Sequence, residues 1–319
     1  MTIVFLDVAT INLNDDMDFS SIKALGELVC YANSSESEAI ERGVGAETLI
    51  VNKVPMTKRV MEALEGLKHI AVIATGYNNV DISAAKEGGI CVTNVRGYAR
   101  DCVPQHTFAL ILNLATRTCD YNRDIRNGRW QESGFFTLLS YPTFEVAGKS
   151  IGIIGFGAIG RGVARIAEAM GMKVMAYDVA GFEDDEYKKS RSSLDEIFEK
   201  ADIVSLHCPL TADNKYMVNR EVLSKMKSSA ILINTARGPL VDQGALADAL
   251  NNDEIGGAGI DVLDEEPPRD NPLLGDVKNL IMTPHSAWST REARQRLIAE
   301  VAENIKAFSE GRGRNIIQR

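Results

Sequence analysis

The feature that most constrains this chain is a glycine motif, G-x-G-x-x-G, at residues 155–160. It directly follows the apolar run 151–154 and opens a helical pattern. In that context Gly155 permits a tight turn, Gly157 lets a phosphate approach the backbone, and Gly160 allows close packing of helix on strand. The free N–H groups of the helix N-terminus then face the phosphates. The motif therefore predicts a strand–turn–helix unit that binds the pyrophosphate of a dinucleotide.

An acidic residue ends the next predicted strand. Asp178 lies about 20 residues beyond Gly157, where a carboxylate accepts hydrogen bonds from both ribose hydroxyls and repels a 2′-phosphate. The residues that follow are Val179 and Ala180 rather than basic ones. The pattern favours NAD over NADP. The alternative is a glycine-rich turn followed by a solvated aspartate.

Short apolar runs alternate with helical patterns along the chain, which is typical of α/β proteins with parallel sheets. In the first third the predicted strands are residues 3–6, 49–51, 70–74 and 91–93. Six further runs are nearly all apolar, as strands covered on both faces require. They match a doubly wound dinucleotide fold and cover residues 150–154, 173–177, 203–207, 230–234, 258–261 and 280–283.

Helical patterns separate these strands. The predicted helices cover residues 57–64, 81–87 (with Asp81 as N-cap), 101–127 and 290–310. Residues 128–130 are expected to end the long helix, and 131–145 form an aromatic-rich loop. The last helix lies beyond the sixth strand of the second series, so we expect it to pack on the first.

Three chemically active side chains follow successive strands of the second series: Arg237, Glu266 and His285. Ligands of open α/β sheets bind at the carboxyl ends of strands, so topology brings these residues to one edge. Arginine can anchor a carboxylate as a bidentate fork, histidine can exchange a proton near neutral pH, and a carboxylate can orient the histidine. Together they predict hydride transfer to a 2-oxo acid.

Each of these residues also has an ordinary structural explanation: a surface ion pair for Arg237, a solvated acid for Glu266 and a capped loop residue for His285. Two further histidines compete for the role of proton donor. His207 also ends a predicted strand, but the sequence places no carboxylate beside it. His106 lies within a long helix, which favours a structural or interfacial role.

Composition excludes several classes of protein. The 319 residues suggest about two domains, and the net charge of −9 argues against a nucleic-acid or anionic-membrane partner. Five widely spaced cysteines without a C-x-x-C pair favour reduced thiols, with neither a disulfide framework nor a metal site. We expect a soluble, cytoplasmic protein, because no signal peptide or apolar stretch of roughly 18 residues is found.

The motifs together resemble those of the D-isomer-specific 2-hydroxyacid dehydrogenases over essentially the whole chain. The segments that carry this resemblance are residues 148–160, 233–238, 261–268 and 283–285. Within the family the chain is most similar to the glycerate dehydrogenase (hydroxypyruvate reductase) group. That finer resemblance rests on residues 74–81, 94–98, 105–110, 266–269 and 285–288.

The resemblance implies roles for individual residues. Arg237 would bind the substrate carboxylate and carbonyl, and His285, with Glu266 as its partner, would be the general acid and base. Substrate would also contact the backbone amides of Gly76, Tyr77 and Asn78, and a pocket lined by Tyr98 and Trp288, unless these two aromatics belong to the core or a dimer interface. The positions that bind NAD(H) in such enzymes are Gly155, Gly157, Ala158, Ile159, Gly160, Asp178, Cys208, Pro209, Asn214, Thr235, Ala236, Arg237, Asp261 and His285.

The family fold implies a Rossmann doubly wound parallel sheet, residues 101–285, inserted in a discontinuous flavodoxin-like α/β substrate domain, residues 1–100 and 286–319. Closure of the cleft between them would exclude water from the hydride step. The helix after Asp101 and the aromatic arm 131–145 resemble the family's homodimer interface.

The implied reaction interconverts a 2-oxo acid and a D-2-hydroxy acid, with hydroxypyruvate and D-glycerate as the first expectation and glyoxylate and glycolate as another pair. D-3-Phosphoglycerate or another D-2-hydroxy acid is the enzymatic alternative, and a formate dehydrogenase is disfavoured by Pro284-His285-Ser286. An NAD-sensing, corepressor-like binding protein is the alternative from another class.

Overall fold

The computed structural model describes residues 1–179 and 185–318. Its contacts divide the chain into two compact units, Met1–Tyr98 with Ser289–Arg319, and Ala99–Trp288. We call them the first unit and the second unit. The sequence placed the junctions close by, at residues 100–101 and 285–286. The substrate and cofactor roles given to the two parts stay predictions.

Eleven β-strands form in the described part of the chain: β1 (Thr2–Phe5), β2 (Glu27–Cys30), β3 (Thr48–Val51), β4 (His69–Val72), β5 (Cys91–Thr93), β6 (Ser150–Ile154), β7 (Lys173–Tyr177), β8 (Ile203–Leu206), β9 (Ile231–Asn234), β10 (Gly257–Ile260) and β11 (Leu280–Met282). Short 3₁₀ helices cover Val8–Thr10, Asp185–Ser190, Gly238–Leu240 and Pro272–Leu274.

The α-helices in the same residues are α1 (Ser20–Lys23), α2 (Glu36–Gly43), α3 (Lys58–Ala63), α4 (Ile82–Glu87), α5 (Cys102–Thr116), α6 (Thr118–Arg126), α7 (Arg129–Ser133), α8 (Ala158–Ala169), α9 (Leu194–Lys200), α10 (Arg220–Lys225), α11 (Gln243–Asn251) and α12 (Arg291–Ser309). As predicted, the Asp81 side chain caps α4 by accepting from the Ala84 N–H. Within residues 1–179 and 185–318, none of these helices combines the length and apolar character that a bilayer span needs.

The first unit is built on a five-stranded parallel sheet in the order β2-β1-β3-β4-β5. Helices α2, α3 and α4 contribute to the apolar cluster on one face of this sheet, and α12 packs on β4 and on α1. The central strands β3 and β4 are fully buried, which explains the apolar residues that follow Thr48 and His69 at their starts. The edge strand β2 was not predicted, because its side chains are half-buried or exposed.

The second unit is built on a six-stranded parallel sheet in the order β11-β10-β9-β8-β6-β7. Helices α5 and α8 supply the buried side chains on one face, and α9, α10 and α11 supply those on the other. The direction of strand addition reverses between β6 and β8, which is the switch point where doubly wound sheets bind ligands. The predicted fold class, with two parallel α/β sheets, is confirmed.

The prediction of one helix over residues 101–127 is wrong. Helices α5 and α6 meet at Arg117, whose backbone is left-handed with φ 56°. The Arg117 guanidinium donates to Asn279 Oδ1 at 2.7 Å, so a contact distant in sequence holds this bend. The predicted stop and loop after residue 127 were also wrong in part, because α7 forms at the start of that segment.

Candidate active site

The glycine motif forms the turn from β6 into α8. Gly155 has φ 94°, and a Cβ there would lie 2.4 Å from the backbone nitrogen of Cys208. A Cβ on Gly160 would lie 2.2 Å from the carbonyl oxygen of Gly155. At Gly157, by contrast, a Cβ would meet no heavy atom of the described residues within 4 Å. Packing therefore requires the outer two glycines, while the middle one faces open space.

The start of α8 is equipped to hold an anion. Gly157 is its N-cap and has no side chain, so the N-cap residue gives no side-chain acceptor to the N–H groups of the first turn, at Ala158, Ile159 and Gly160. Such a helix end carries partial positive charge and binds phosphate. The open space at Gly157 and this uncapped turn fit the pyrophosphate of a dinucleotide.

The carboxylate predicted to bind ribose stands beside the same loop. Asp178 directly follows β7, and its Oδ2 accepts a hydrogen bond from the Phe156 N–H at 2.7 Å. This bond fixes the carboxylate next to the glycine turn, as a ribose-binding acid requires. Ala180, cited with Asp178 in favour of NAD, lies outside the described residues.

The loop after β8 lies on the other side of the switch point. Burial raises the pKa of the Cys208 thiol to about 11, so the group is a neutral thiol near pH 7. The Asn214 side chain donates to the Pro209 carbonyl at 2.8 Å and accepts from the Thr211 N–H at 2.7 Å. Asn214, predicted to bind cofactor, thus closes its own loop here through both ends of its amide.

Arg237 follows β9 and is positioned by the last residue of that strand. The buried Asn234 side chain donates to the Arg237 carbonyl at 2.8 Å and accepts from the Ala236 N–H at 3.0 Å. A Cβ on Gly238 would lie 2.1 Å from the carbonyl carbon of Leu263, so the Arg237 turn packs directly on the segment that leads to Glu266. In the same turn, the Thr235 hydroxyl lies 3.3 Å from the Thr107 hydroxyl of α5.

His285 and Glu266 form the pair that the sequence predicted. The distance from His285 Nδ1 to Glu266 Oε2 is 2.5 Å, and Glu266 Oε1 accepts from the Leu263 N–H at 2.9 Å. An ionised carboxylate only accepts, so Nδ1 carries the proton of this bond and Nε2 is left to exchange a proton with a ligand. The side chains are 29% and 32% exposed, so a small molecule can reach them.

Asp261 organises the segment that carries His285. Its buried carboxylate accepts from the Thr283 hydroxyl at 2.6 Å and from the N–H groups of Ser286 at 2.9 Å and Ala287 at 3.0 Å. The His285 N–H donates to the Asp261 carbonyl at 2.7 Å. The sequence predicted Asp261 only as a cofactor-binding residue. The structure shows that its carboxylate holds the loop around His285 in place.

The two competing histidines are placed differently. His207 Nε2 lies 2.8 Å from the Ser205 hydroxyl, and burial lowers the pKa of His207 to about 3. The ring is therefore neutral at ordinary pH and is a poor proton donor. His106 Nε2 lies 2.9 Å from the Thr283 hydroxyl, so it touches the segment that holds His285.

The predicted substrate loop of the first unit follows β4. Tyr77 and Asn78 are exposed, Gly76 is half-buried, and the Asn79 side chain ties the loop down by donating to the Val54 carbonyl at 2.9 Å. A role of their backbone amides in carboxylate binding stays a prediction.

The two predicted pocket aromatics are both half-buried. Tyr98 is the last residue of the first stretch of the first unit, and its carbonyl accepts from Arg296 Nε at 2.9 Å. Trp288 ends the second unit. Their contact with substrate stays a prediction. Among residues 1–179 and 185–318, no group of three or more His, Cys, Asp or Glu side chains is arranged to hold a metal ion.

Sequence reasoning missed Asn234 and Thr283, both of which hold site residues in place. The available signal was a polar residue directly at or after the end of an apolar strand. That signal identifies a position at the edge of the sheet, but it does not say which neighbouring segment the side chain binds.

Comparison with known proteins identifies the family. Residues 108–287 match the NAD-binding domain of the D-isomer-specific 2-hydroxyacid dehydrogenases. The glycerate dehydrogenase of Methylorubrum extorquens is 46% identical over 283 residues, 88% of each chain. The hydroxypyruvate reductase of Blautia hydrogenotrophica is 39% identical over 324 residues, 100% of both chains. The structure of D-lactate dehydrogenase from Aquifex aeolicus with NAD and lactic acid has a TM-score of 0.83 and 28% identity, and covers 100% of this chain and 99% of that one.

This chain therefore belongs to the D-isomer-specific 2-hydroxyacid dehydrogenases. The second unit contains the family's NAD-binding domain, and the enzyme class expected from the sequence is confirmed. The glycine loop and the residues Arg237, Glu266 and His285 are the parts of this unit from which a reaction can be derived.

Proposed function

We propose that this enzyme interconverts hydroxypyruvate and D-glycerate with NAD(H). The observation that carries the proposal is the His285–Glu266 pair, 2.5 Å apart, at the sheet edge that also presents Arg237 and the open glycine loop. The substrate assignment is supported by the glycerate dehydrogenase and hydroxypyruvate reductase among its relatives. The preference for NAD is supported by Asp178 beside the loop.

The proposed roles follow from the donors and acceptors present. When bound, NADH supplies a hydride to the carbonyl carbon of the 2-oxo acid. Arg237 binds the substrate carboxylate and carbonyl through its planar fork of N–H donors. His285 gives the Nε2 proton to the carbonyl oxygen, and Glu266 orients the ring and balances its positive charge. In the reverse direction His285 accepts the hydroxyl proton.

The test is a kcat/KM series with NADH over hydroxypyruvate, glyoxylate, pyruvate, phosphohydroxypyruvate and bulkier 2-oxo acids. We expect hydroxypyruvate to have the highest value and glyoxylate the next. A maximum at phosphohydroxypyruvate would replace the proposal with 3-phosphoglycerate oxidation. Firm NADH binding without turnover of any of these acids would instead favour an NAD-sensing, corepressor-like protein.

We also propose that the enzyme is a homodimer formed through the α7 segment and the residues after it. This proposal is supported by four large apolar side chains that are exposed there: Trp130, Phe135, Phe136 and Leu139. Contiguous exposed apolar side chains mark interaction surfaces. Light scattering should give the mass of two chains, and the double variant F135S/F136S should shift it toward one. A monomeric wild-type enzyme at micromolar concentration would exclude the homodimer.

We propose that the enzyme is cytoplasmic. The support is the cysteine pattern, because five widely spaced cysteines without a C-x-x-C pair are typical of proteins in a reducing compartment. Cell fractionation followed by immunodetection tests this placement. Recovery of the enzyme mainly from an oxidising compartment would contradict it.

A further inference from the structure

Helix α5 brings a histidine to the base of the segment that holds His285. His106 Nε2 lies 2.9 Å from Thr283 Oγ1 and 3.6 Å from Asp261 Oδ1. These residues all belong to the second unit, and α5 packs on β10, the strand that Asp261 follows. His106 is the fifth residue of this 15-residue helix, so the packing of the whole helix fixes its position.

The direction of these hydrogen bonds follows from what each group can do. Thr283 Oγ1 lies 2.6 Å from Asp261 Oδ1, and an ionised carboxylate is only an acceptor. The Thr283 hydroxyl proton therefore goes to Asp261, and the hydroxyl oxygen accepts from His106. The chain of donors runs from His106 Nε2–H through Thr283 to Asp261, and the arrangement requires the tautomer of His106 that is protonated at Nε2.

This series of hydrogen bonds reaches the backbone of His285 and of the two residues that follow it. The Asp261 carboxylate also accepts from the N–H groups of Ser286 and Ala287, while its carbonyl accepts from the His285 N–H. His285 itself is left-handed, with φ 50°, a conformation that is uncommon outside glycine. Such a backbone persists only where its surroundings hold it in place. The hydrogen bonds around Asp261 supply that restraint.

We propose that His106 is a positioning residue for hydride transfer, which acts through Thr283 and Asp261 to hold the His285 imidazole where it delivers its proton. The inference rests on the proposed role of His285. It gives His106 a function in the reaction, where the sequence favoured a structural or interfacial one.

Two matched pairs of variants test the chain of donors. His106→Leu and Thr283→Val remove a donor or hydroxyl at nearly constant volume, while His106→Gln and Thr283→Ser keep an N–H or O–H. We expect the first pair to lower kcat about 10- to 100-fold, as a small misplacement of a catalytic group does. The Kd for NADH should change by less than about threefold. The second pair should restore most of kcat, and H106L/T283V should be no slower than the slower single variant.

The failure of this inference can be told from failure of the proposed function. Full kcat in His285→Ala would overturn the role of His285 itself. Loss of kcat in His285→Ala combined with wild-type kcat in His106→Leu would overturn only the positioning role. Equal kcat in the Leu and Gln variants, or effects confined to the Kd for NADH, would overturn it as well. Thermal midpoints identify misfolding, and where His106→Leu fails to fold, the Thr283 pair decides.

Discussion

The two parallel sheets of this enzyme differ in what occupies the switch point, where the direction of strand addition reverses. Each sheet has a switch point, between β1 and β3 in the first unit and between β6 and β8 in the second. In the first, the Asp7 carboxylate after β1 accepts N–H groups of Asn52, Lys53 and Val54 after β3, at distances from 2.6 to 3.1 Å. In the second, Gly155 packs on the next loop and Gly157 faces open space.

The difference lies in where the negative charge comes from. The first unit supplies its own anion, a buried carboxylate that satisfies the N–H groups of the facing loop. Burial raises the pKa of the Asp7 carboxyl, and its backbone hydrogen bonds act in the opposite direction. The second unit leaves the N–H groups of a helix for an external anion. A switch point is therefore a binding site only when the chain does not fill it.

The largest expected effect concerns proton transfer by His285, which lies at the sheet edge of the second unit. His285→Ala should lower kcat by about 10²- to 10⁴-fold, because a general acid is lost. The Kd for NADH should stay close to that of the wild type, because the glycine loop is intact. His207→Asn serves as the control and should keep kcat within a few-fold. Steady-state kinetics that showed loss in the His207 variant and not in the His285 variant would reassign the acid.

The second prediction gives the switch point of the second unit a carboxylate of its own, as Asp7 provides in the first unit. Gly157→Asp places a carboxylate in front of α8, where the pyrophosphate is expected, and like charges brought together cost several kcal/mol. The Kd for NADH, measured by fluorescence titration, should rise about 100-fold or more. Gly157→Ala, which adds volume without charge, should weaken binding much less. A similar loss of NADH affinity in both variants would show that the added volume, rather than the added charge, weakens binding.

The third prediction removes the Asp7 carboxylate from the switch point of the first unit. Asp7→Ala leaves three N–H groups without their acceptor, and the free energy of unfolding should fall by about 2–3 kcal/mol. Glu41→Ala on the exposed side of α2 is the control and should change it by less than about 0.5 kcal/mol. Denaturant titration measures both. If the Asp7 variant were as stable as the control, the carboxylate would not be holding the facing loop.

The smallest expected effect concerns how the second switch point selects its cofactor. Asp178→Ala removes the carboxylate that is expected to repel a 2′-phosphate, so the ratio of kcat/KM for NADH to that for NADPH should fall several-fold. Asp178→Asn keeps a hydrogen-bond acceptor and tests the contribution of charge. A ratio that stayed unchanged in both variants would mean that Asp178 does not contact the ribose.

Much of this fold could be predicted from sequence, because buried parallel strands carry a strong local signal. The six strands of the second unit were each identified within one residue at either end, and the glycine motif located the switch point. What escaped prediction is set by contacts distant in sequence. The bend at Arg117 depends on Asn279, and no glycine or proline marks it. The edge strand β2 lacks the apolar run that made its neighbours visible.

The candidate site shows the same limit. The contact between His285 and Glu266 was expected from strand order and is present at 2.5 Å, although the role of each residue stays a prediction. Strand order brings residues to a common edge, but it does not give the direction of a side chain. The buried carboxylate of Asp261 could therefore be placed near the cofactor, while its three donors from the His285 segment could not be foreseen.

The end of the described chain has a consequence for the order of folding. Ile316 pairs antiparallel with Thr93 at the edge of β5, and the Gln318 side chain accepts from the Val92 N–H and donates to the Ile90 carbonyl. Ile316 and Gln318 both come after the whole second unit in the sequence. During synthesis the second unit can fold before these pairings form. Of the two units, the one whose strands are synthesised earlier is thus the one whose last pairings form later.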